Sequence, residues 1–499
     1  MQKSYLYFGR WGCFTLYSRG FRDGMNLAGF GSPGTGKTAA LIIPNIVRWI
    51  DQGGSVFCID ISGDITGATP DTGRALFAPW GVPTGEFDSE GNEVLIPNGV
   101  TWDVLAPVRA AENKEAEIEK LAAVLAFNPD AEGNGMHWVK ESTKVLTAVL
   151  CALVLGLDMD FVAACEVIFT STGKELFDYC LASQNNTAKA LASSLVDTQG
   201  IADKFNDAKT AIKLFATPGS VSRSIQRGGL KPSDIETQSL FFFIPDKELE
   251  ESGQLVRLVA AQMWDYLAAR PLKQRHKILA VFDEFGSLGI LPIKDALQKF
   301  RKRHVSVMYF MQSVASLDIY GTAGRRELLG ATQYTAVLDA TDTDDQKQWS
   351  DKAGEYFVKV KTETRRHTTE GENQQQWSES TGERRERRIA PDEFALLPSI
   401  QKFALFHRGG VVLVRPRMYF KDRNYKRICS RIQQKKVKEL EKNKTYKQEK
   451  AIGRGQLNAP AQLEKERAAT LAAENEQQNN RCCYAAAKEF GWEPWTPAE

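Results

Sequence analysis

Two stretches of this chain, about 250 residues apart, hold residue types that together can do chemistry on a phosphoanhydride. The first is Gly31-Ser32-Pro33-Gly34-Thr35-Gly36-Lys37-Thr38, which fits G-x-x-x-x-G-K-[ST]. Its glycines let backbone N–H groups turn onto a polyphosphate, and the start of the following helix adds partial positive charge. Lys37 is the residue for the β and γ phosphates, and the Thr38 hydroxyl is the residue for Mg²⁺. The second is Asp283-Glu284, which follows the apolar run Leu279-Ala280-Val281-Phe282 in the manner of a Walker B strand. Asp283 would hold the metal through its water shell, and Glu284 would orient and deprotonate water for in-line attack on the terminal phosphate. Alone, two acids after a strand are a solvated pair. Beside a phosphate loop they become its metal and water partners.

Two further positions join this set. Gln312 ends the apolar run Val305 to Phe310, where a glutamine can sense the γ phosphate or position the water. Arg301-Lys302-Arg303-His304 precedes that run. It reads either as a basic helix C-terminus, which the helix dipole favours, or as the source of an arginine, Arg301, supplied across a subunit boundary to stabilise transition-state charge. Asp60 ends the run Ser55 to Ile59 and is either near the nucleotide or a plain loop aspartate.

The elements that must position these residues follow from the hydrophobic pattern. Met25 to Phe30 is a short buried strand ahead of the loop, and Thr38 to Ile43 is an apolar helix after it. Further strands are expected at Ser55–Ile59, Leu240–Ile244, Lys277–Phe282, Val305–Phe310, Tyr334–Leu338, Phe403–Phe406 and Val411–Val414. Helices at Leu255–Leu267 and Ile293–Lys302 alternate with them, which predicts a mostly parallel sheet covered on both faces. Gly81 to Gly99 is a loop or short hairpin, and Lys361 to Arg388 a mobile loop or extended hairpin. Between Ala106 and Gly219 the pattern is helical throughout (Glu112–Ala126, His137–Leu157, Asp160–Phe169, Thr187–Leu214), with His137 and Trp138 expected in its core. The resulting division is 1–105 and 220–425 for the two parts of an α/β domain, 106–219 for an inserted all-α domain, and 426–499 for a charged tail. In that tail Lys435 to Lys442 suggests an exposed helix.

Composition narrows the class. The chain has 499 residues, 42% apolar and 25% charged, enough for two or three domains with real cores. A net charge of +2 does not by itself argue for nucleic acid, so any basic patch is local. The eight cysteines form no C-x-x-C pair, which argues against a zinc site or a disulfide framework and for a reducing compartment. The longest apolar run, Val145 to Leu157, is shorter than the roughly 20 residues that span a bilayer, so no transmembrane segment is expected.

Beyond these motifs, Asp283-Glu284-Phe285-Gly286-Ser287-Leu288-Gly289, the basic stretch from Arg301, Gln312-Ser313 and Tyr320-Gly321 resemble, in order and spacing, the type IV secretion coupling proteins, the TraG/TraD-type conjugative motors. Ile59-Asp60-Ile61-Ser62-Gly63-Asp64 is similar to their D-x-K-G-E block, with Ser62 where the family has Lys. Thr101 to Leu105 is similar to W-N-P-L, and Phe243-Ile244-Pro245 and Pro391 to Pro398 match later blocks. The resemblance covers about residues 25–425. It implies a RecA-like P-loop NTPase domain with an all-α insertion, working as a homo-hexamer on ATP with Mg²⁺. Such motors bring single-stranded DNA with its attached relaxase, or effector proteins, to the secretion channel at the inner membrane. It also implies that motif roles carry to Lys37, Thr38, Asp283, Glu284, Arg301 and Gln312. Without the family's N-terminal membrane helices, the expectation is a cytoplasmic protein held at the inner membrane by partners. Two other readings stay open: another hexameric DNA-translocating ATPase of the segregation or packaging type, and a relaxosome-recruiting scaffold that binds ATP only to assemble.

Overall fold

The computed structural model describes residues 5–18, 25–127 apart from 72, 90 and 92, then 134–195, 201–288, 297, 299–366 and 376–435. In chain order its strands are β1 (Tyr7–Trp11), β2 (Phe14–Tyr17), β3 (Leu27–Phe30), β4 (Ser55–Asp60), β5 (Arg74–Phe77), β6 (Val82–Phe87), β7 (Glu93–Ile96), β8 (Ser239–Phe243), β9 (Ile278–Phe282), β10 (Val305–Met311), β11 (Tyr334–Val337), β12 (Glu355–Arg366), β13 (Gln376–Arg387), β14 (Phe403–His407) and β15 (Gly410–Val414). A nine-stranded sheet has the order β15-β14-β11-β3-β10-β9-β4-β8-β5. From β11 to β5 every neighbouring pair is parallel, while β14 and β15 close one edge antiparallel. The expected RecA-like architecture, a mostly parallel sheet with an all-α insertion, is the one observed.

The continuous apolar runs are explained by burial on both faces. In β9, Ile278, Ala280 and Phe282 enter one core with Phe57 and Trp264. Leu279 and Val281 enter the other, with Trp49, Phe241 and Phe310. Period-two alternation divides one strand between two cores, and no polar residue is tolerated until the strand ends. The close approach of β3 and β10 requires Gly29. A Cβ there would stand 2.1 Å from the Phe310 ring, the residue opposite it in register. Phe310 is fully buried and has nowhere to go. Gly29→Ala is therefore expected to cost roughly 2–3 kcal/mol by overpacking, read as a lower urea midpoint. An unchanged midpoint would contradict this packing.

Helices occupy the chain from Ala106 to Ser224: Lys114–Ala126, Asn134–Leu150 continuing into Cys151–Gly156, Phe161–Thr170, Gly173–Ala182, Asn186–Leu195 and Ile201–Ala216 are the main ones. They are seated on the sheet through the long helix Leu249–Ala269. Gln262 accepts from Trp102 Nε1 (2.8 Å) and donates to the Val104 carbonyl (2.7 Å), and Gln254 donates to the Leu125 carbonyl (2.8 Å). Among these helices, Gly173–Ala182 is absent from the sequence reading. His137, expected in the core, is exposed; the Trp138 side chain lies outside the described residues.

The expected loop at Gly81–Gly99 is a hairpin of β6 and β7, and the stretch from Lys361 belongs to a longer hairpin of β12 and β13. The expected helix Ile293–Lys302 falls largely outside the described residues, as does the Lys435–Lys442 helix. Among the described residues no helix is long and apolar enough to cross a membrane.

Candidate functional site

The phosphate loop leaves β3 and runs into a π-helical turn, Thr38–Ile42, which continues as the α-helix Ile43–Asp51. Gly34 and Gly36 have φ of 78° and 86°, the left-handed backbone that glycine adopts without strain. Three strand ends surround the loop. From β10, the Met311 carbonyl accepts from Gly31 N (3.2 Å), which puts Gln312 beside the loop. From β11, Asp339 Oδ1 accepts from Ser32 N (2.6 Å). From β9, across the width of β10, Asp283 Oδ2 accepts from Thr38 Oγ1 (2.7 Å). The hydroxyl and carboxylate proposed to share a metal are thus brought together from opposite halves of the chain.

The electrostatics fit a cation between them. Asp283 is 7% exposed, and burial pushes its carboxyl up to about 6, with the Thr38 hydrogen bond opposing and nearby Asp60 adding to the rise. Asp60 is fully buried, accepting from Gly63 N (3.1 Å) and Thr66 N (2.7 Å), and its carboxyl is also raised by burial. Two neighbouring buried acids are costly when ionised and unpaired. A divalent cation held by Asp283 and Thr38 would offset that cost, and the two oxygens are the hard donors that Mg²⁺ takes.

Lys37 is 8% exposed and donates to the carbonyls of Gly31 (2.6 Å) and Ser32 (3.0 Å). Burial lowers its pKa, while Asp283, Asp339 and Glu284, in that order, work to raise it. The ammonium is therefore poised among the acids that line the loop.

Glu284 follows β9 with a φ of 54°, a conformation rare outside glycine and concentrated at functional sites. The left-handed residue turns the chain out of the sheet into the short turn Phe285–Leu288, leaving the Glu284 side chain exposed while Asp283 stays buried. Adjacent acids thus acquire different environments, one buried and one exposed. Arg301 is not in this cluster. It lies ahead of β10, at the opposite end of a seven-residue strand from Gln312, so about 20 Å separates it from the loop of its own subunit.

Asp339 is the site residue that the sequence reading missed. It carries the same signature as Asp60 and Asp283, an acid ending an apolar strand.

Together the sheet order, the loop and the acid strand one place removed define a RecA-like P-loop NTPase fold. Residues 277–399 match the family model described as the TraM recognition site of TraD and TraG. The conjugal transfer protein TraG of Escherichia coli is 23% identical over 293 residues, 52% of this chain and 43% of that one, so the chain matches less than half the length of this curated relative. Among solved structures, the unbound bacterial conjugative coupling protein TrwBdeltaN70 superposes with a TM-score of 0.61 at 17% identity, covering 79% of this chain and 84% of that one. Plasmid coupling protein TrwB in complex with ADP and Mg²⁺ gives 0.60 at 17% identity, over 79% and 85% of the two chains. TrwB with the non-hydrolysable ATP analogue ADPNP gives 0.62 at 18%, over 80% and 86%. These likenesses establish the fold. Over residues 277–399 the chain is similar to the family model of TraD and TraG.

Proposed function

We propose that this chain is an ATP-driven coupling protein that brings single-stranded DNA with its attached relaxase, or an effector protein, to a type IV secretion channel during conjugative transfer. The observation that carries the reading is the 2.7 Å contact between Thr38 of the phosphate loop and Asp283 of β9, residues 245 positions apart. In this reading Gly31 to Thr38 present their amides to the phosphates of ATP, and Lys37 turns its ammonium from the loop carbonyls toward the β and γ oxygens. Thr38 and Asp283 hold Mg²⁺, which when bound screens the charge that develops on the transferred phosphoryl group. Glu284 takes the proton of the attacking water, and Gln312 senses the terminal phosphate from the end of β10. Arg301, too far from its own loop, serves the loop of the next subunit in a homo-hexameric ring.

The partners follow the same relatives. The matched family region is described by its recognition of TraM, and it includes β9 to β13, the acid strand and the long hairpin. Relaxosome components on this half of the domain, DNA in the ring, and channel proteins at the inner membrane complete the proposal.

Glu284→Gln tests the motor against the scaffold. The variant is expected to bind ATP as the wild type does and to lose turnover by about 10²–10⁴-fold. In a strain lacking the gene it is expected not to restore conjugative transfer. Transfer at the wild-type frequency from a variant that cannot hydrolyse ATP would leave only an assembly role for the nucleotide.

A further inference from the structure

We infer that the turn Met418–Lys421, carried past the antiparallel edge of the sheet, seats the base of the bound nucleotide, with Phe420 as its stacking platform. This rests on the nucleotide reading of the loop and specifies the part of that site which the loop motif leaves open. The sheet order gives the direction. Asp283, which accepts from the Thr38 hydroxyl and would hold the metal with it, comes from the β9 side of β3. On the other side of β3 lie β11, β14 and β15, and the chain leaving β15 returns over the loop. Its Met418 lies directly on Gly36: a Cβ at Gly36 would stand 2.6 Å from Met418 Cε and 3.1 Å from Sδ. The short turn Tyr419–Lys421 packs against Thr38–Ile42. A polyphosphate whose metal-bearing end faces β9 has its sugar and base leaving over the opposite flank, where this turn sits.

The turn is fixed to the loop's own helix. Asp422, 4% exposed, accepts from Arg48 Nη2 at 2.7 Å, and Arg417 Nε lies 3.7 Å from its other oxygen. Arg48 in turn lies over the Tyr7 ring, 4.1 Å from its centroid, and the Tyr425 hydroxyl donates to the Ala68 carbonyl. Against this pinned base Phe420 remains 49% exposed, with Tyr419 edge-on to it at 5.3 Å and the Lys421 ammonium 5.8 Å from its centroid. A half-exposed aromatic ring on a turn pinned to the loop's helix offers a flat apolar face to a heterocycle, and stacking of this kind reads ring area rather than hydrogen-bonding edges. The ligand class is a purine nucleotide, with little discrimination between adenine and guanine.

The test is calorimetric titration of the full chain with Mg-ATP and with Mg-tripolyphosphate, which has the phosphates and no base. Phe420→Ala is expected to weaken Mg-ATP about tenfold while leaving Mg-tripolyphosphate unchanged, and Phe420→Tyr is expected to restore Mg-ATP. Unchanged Mg-ATP affinity in Phe420→Ala would overturn the inference, as would equal weakening of both ligands, which would place the effect in the loop. A wild type that binds neither ligand would instead overturn the nucleotide reading on which the inference rests.

Discussion

Replacing Lys37 by alanine is expected to abolish ATP binding, a loss of at least about a hundredfold in affinity. The ammonium is almost fully buried, and in the ligand-free protein its protons are taken by the Gly31 and Ser32 carbonyls. Those bonds exchange for charge-assisted bonds to phosphate oxygens, each worth about 1.5–3 kcal/mol. The alanine variant leaves the phosphates facing Asp283, Asp339 and Glu284, the three acids that act on this lysine, with no ammonium between. Titration with a fluorescent ATP analogue measures the effect. Wild-type affinity in a folded Lys37→Ala protein would remove the loop from the site.

The second large effect is a trade between stability and activity at Asp283. Burial raises its carboxyl from 3.8 to about 6, so the fold favours the protonated form. The stability associated with that proton is fully present below the unfolded value and is lost as pH rises through about 6. At pH 8 the ligand-free protein therefore carries a cost of at most about 3 kcal/mol. Asp283→Asn keeps an oxygen for the Thr38 hydroxyl and cannot ionise. The variant is expected to melt above the wild type at pH 8, to lose this advantage near pH 4, and to lose Mg²⁺-dependent turnover at both. Melting curves of the ligand-free proteins from pH 4 to pH 8 check it. A wild-type–variant difference that stays constant with pH would contradict a costly buried charge at this position.

What could be read before the structure was what short stretches decide. The phosphate loop is local: its spacing needs only a strand before it and a helix after it, and both are present. Asp283 and Glu284 were legible because four apolar residues end in two acids. Asp339 ends Tyr334–Leu338 with the same signal, but its value depends on β11 pairing directly with β3, and strand order is a non-local property that periodicity does not carry. The N-terminal hairpin was illegible for a similar reason. β1 and β2 are fixed by a bridge between Arg10 and Arg415, some 400 residues apart, and their exposed Trp11 and Phe14 follow no period-two pattern.

The helix Gly173–Ala182 had a local signal that went unread. Thr172 and Glu175 form a capping box, the Thr172 hydroxyl accepting from Glu175 N while Glu175 accepts from Thr172 N. The role of Glu284 gains most from the structure. Its left-handed backbone separates it from its buried neighbour, and nothing in the dipeptide announces that difference.

The most direct measurement of the central claim is steady-state ATP hydrolysis by the purified full chain, with and without single-stranded DNA, at fixed Mg²⁺ and ionic strength. A DNA-coupled motor is expected to show turnover stimulated many-fold by DNA and absent in Glu284→Gln. ATP binding accompanied by turnover indifferent to DNA would contradict it.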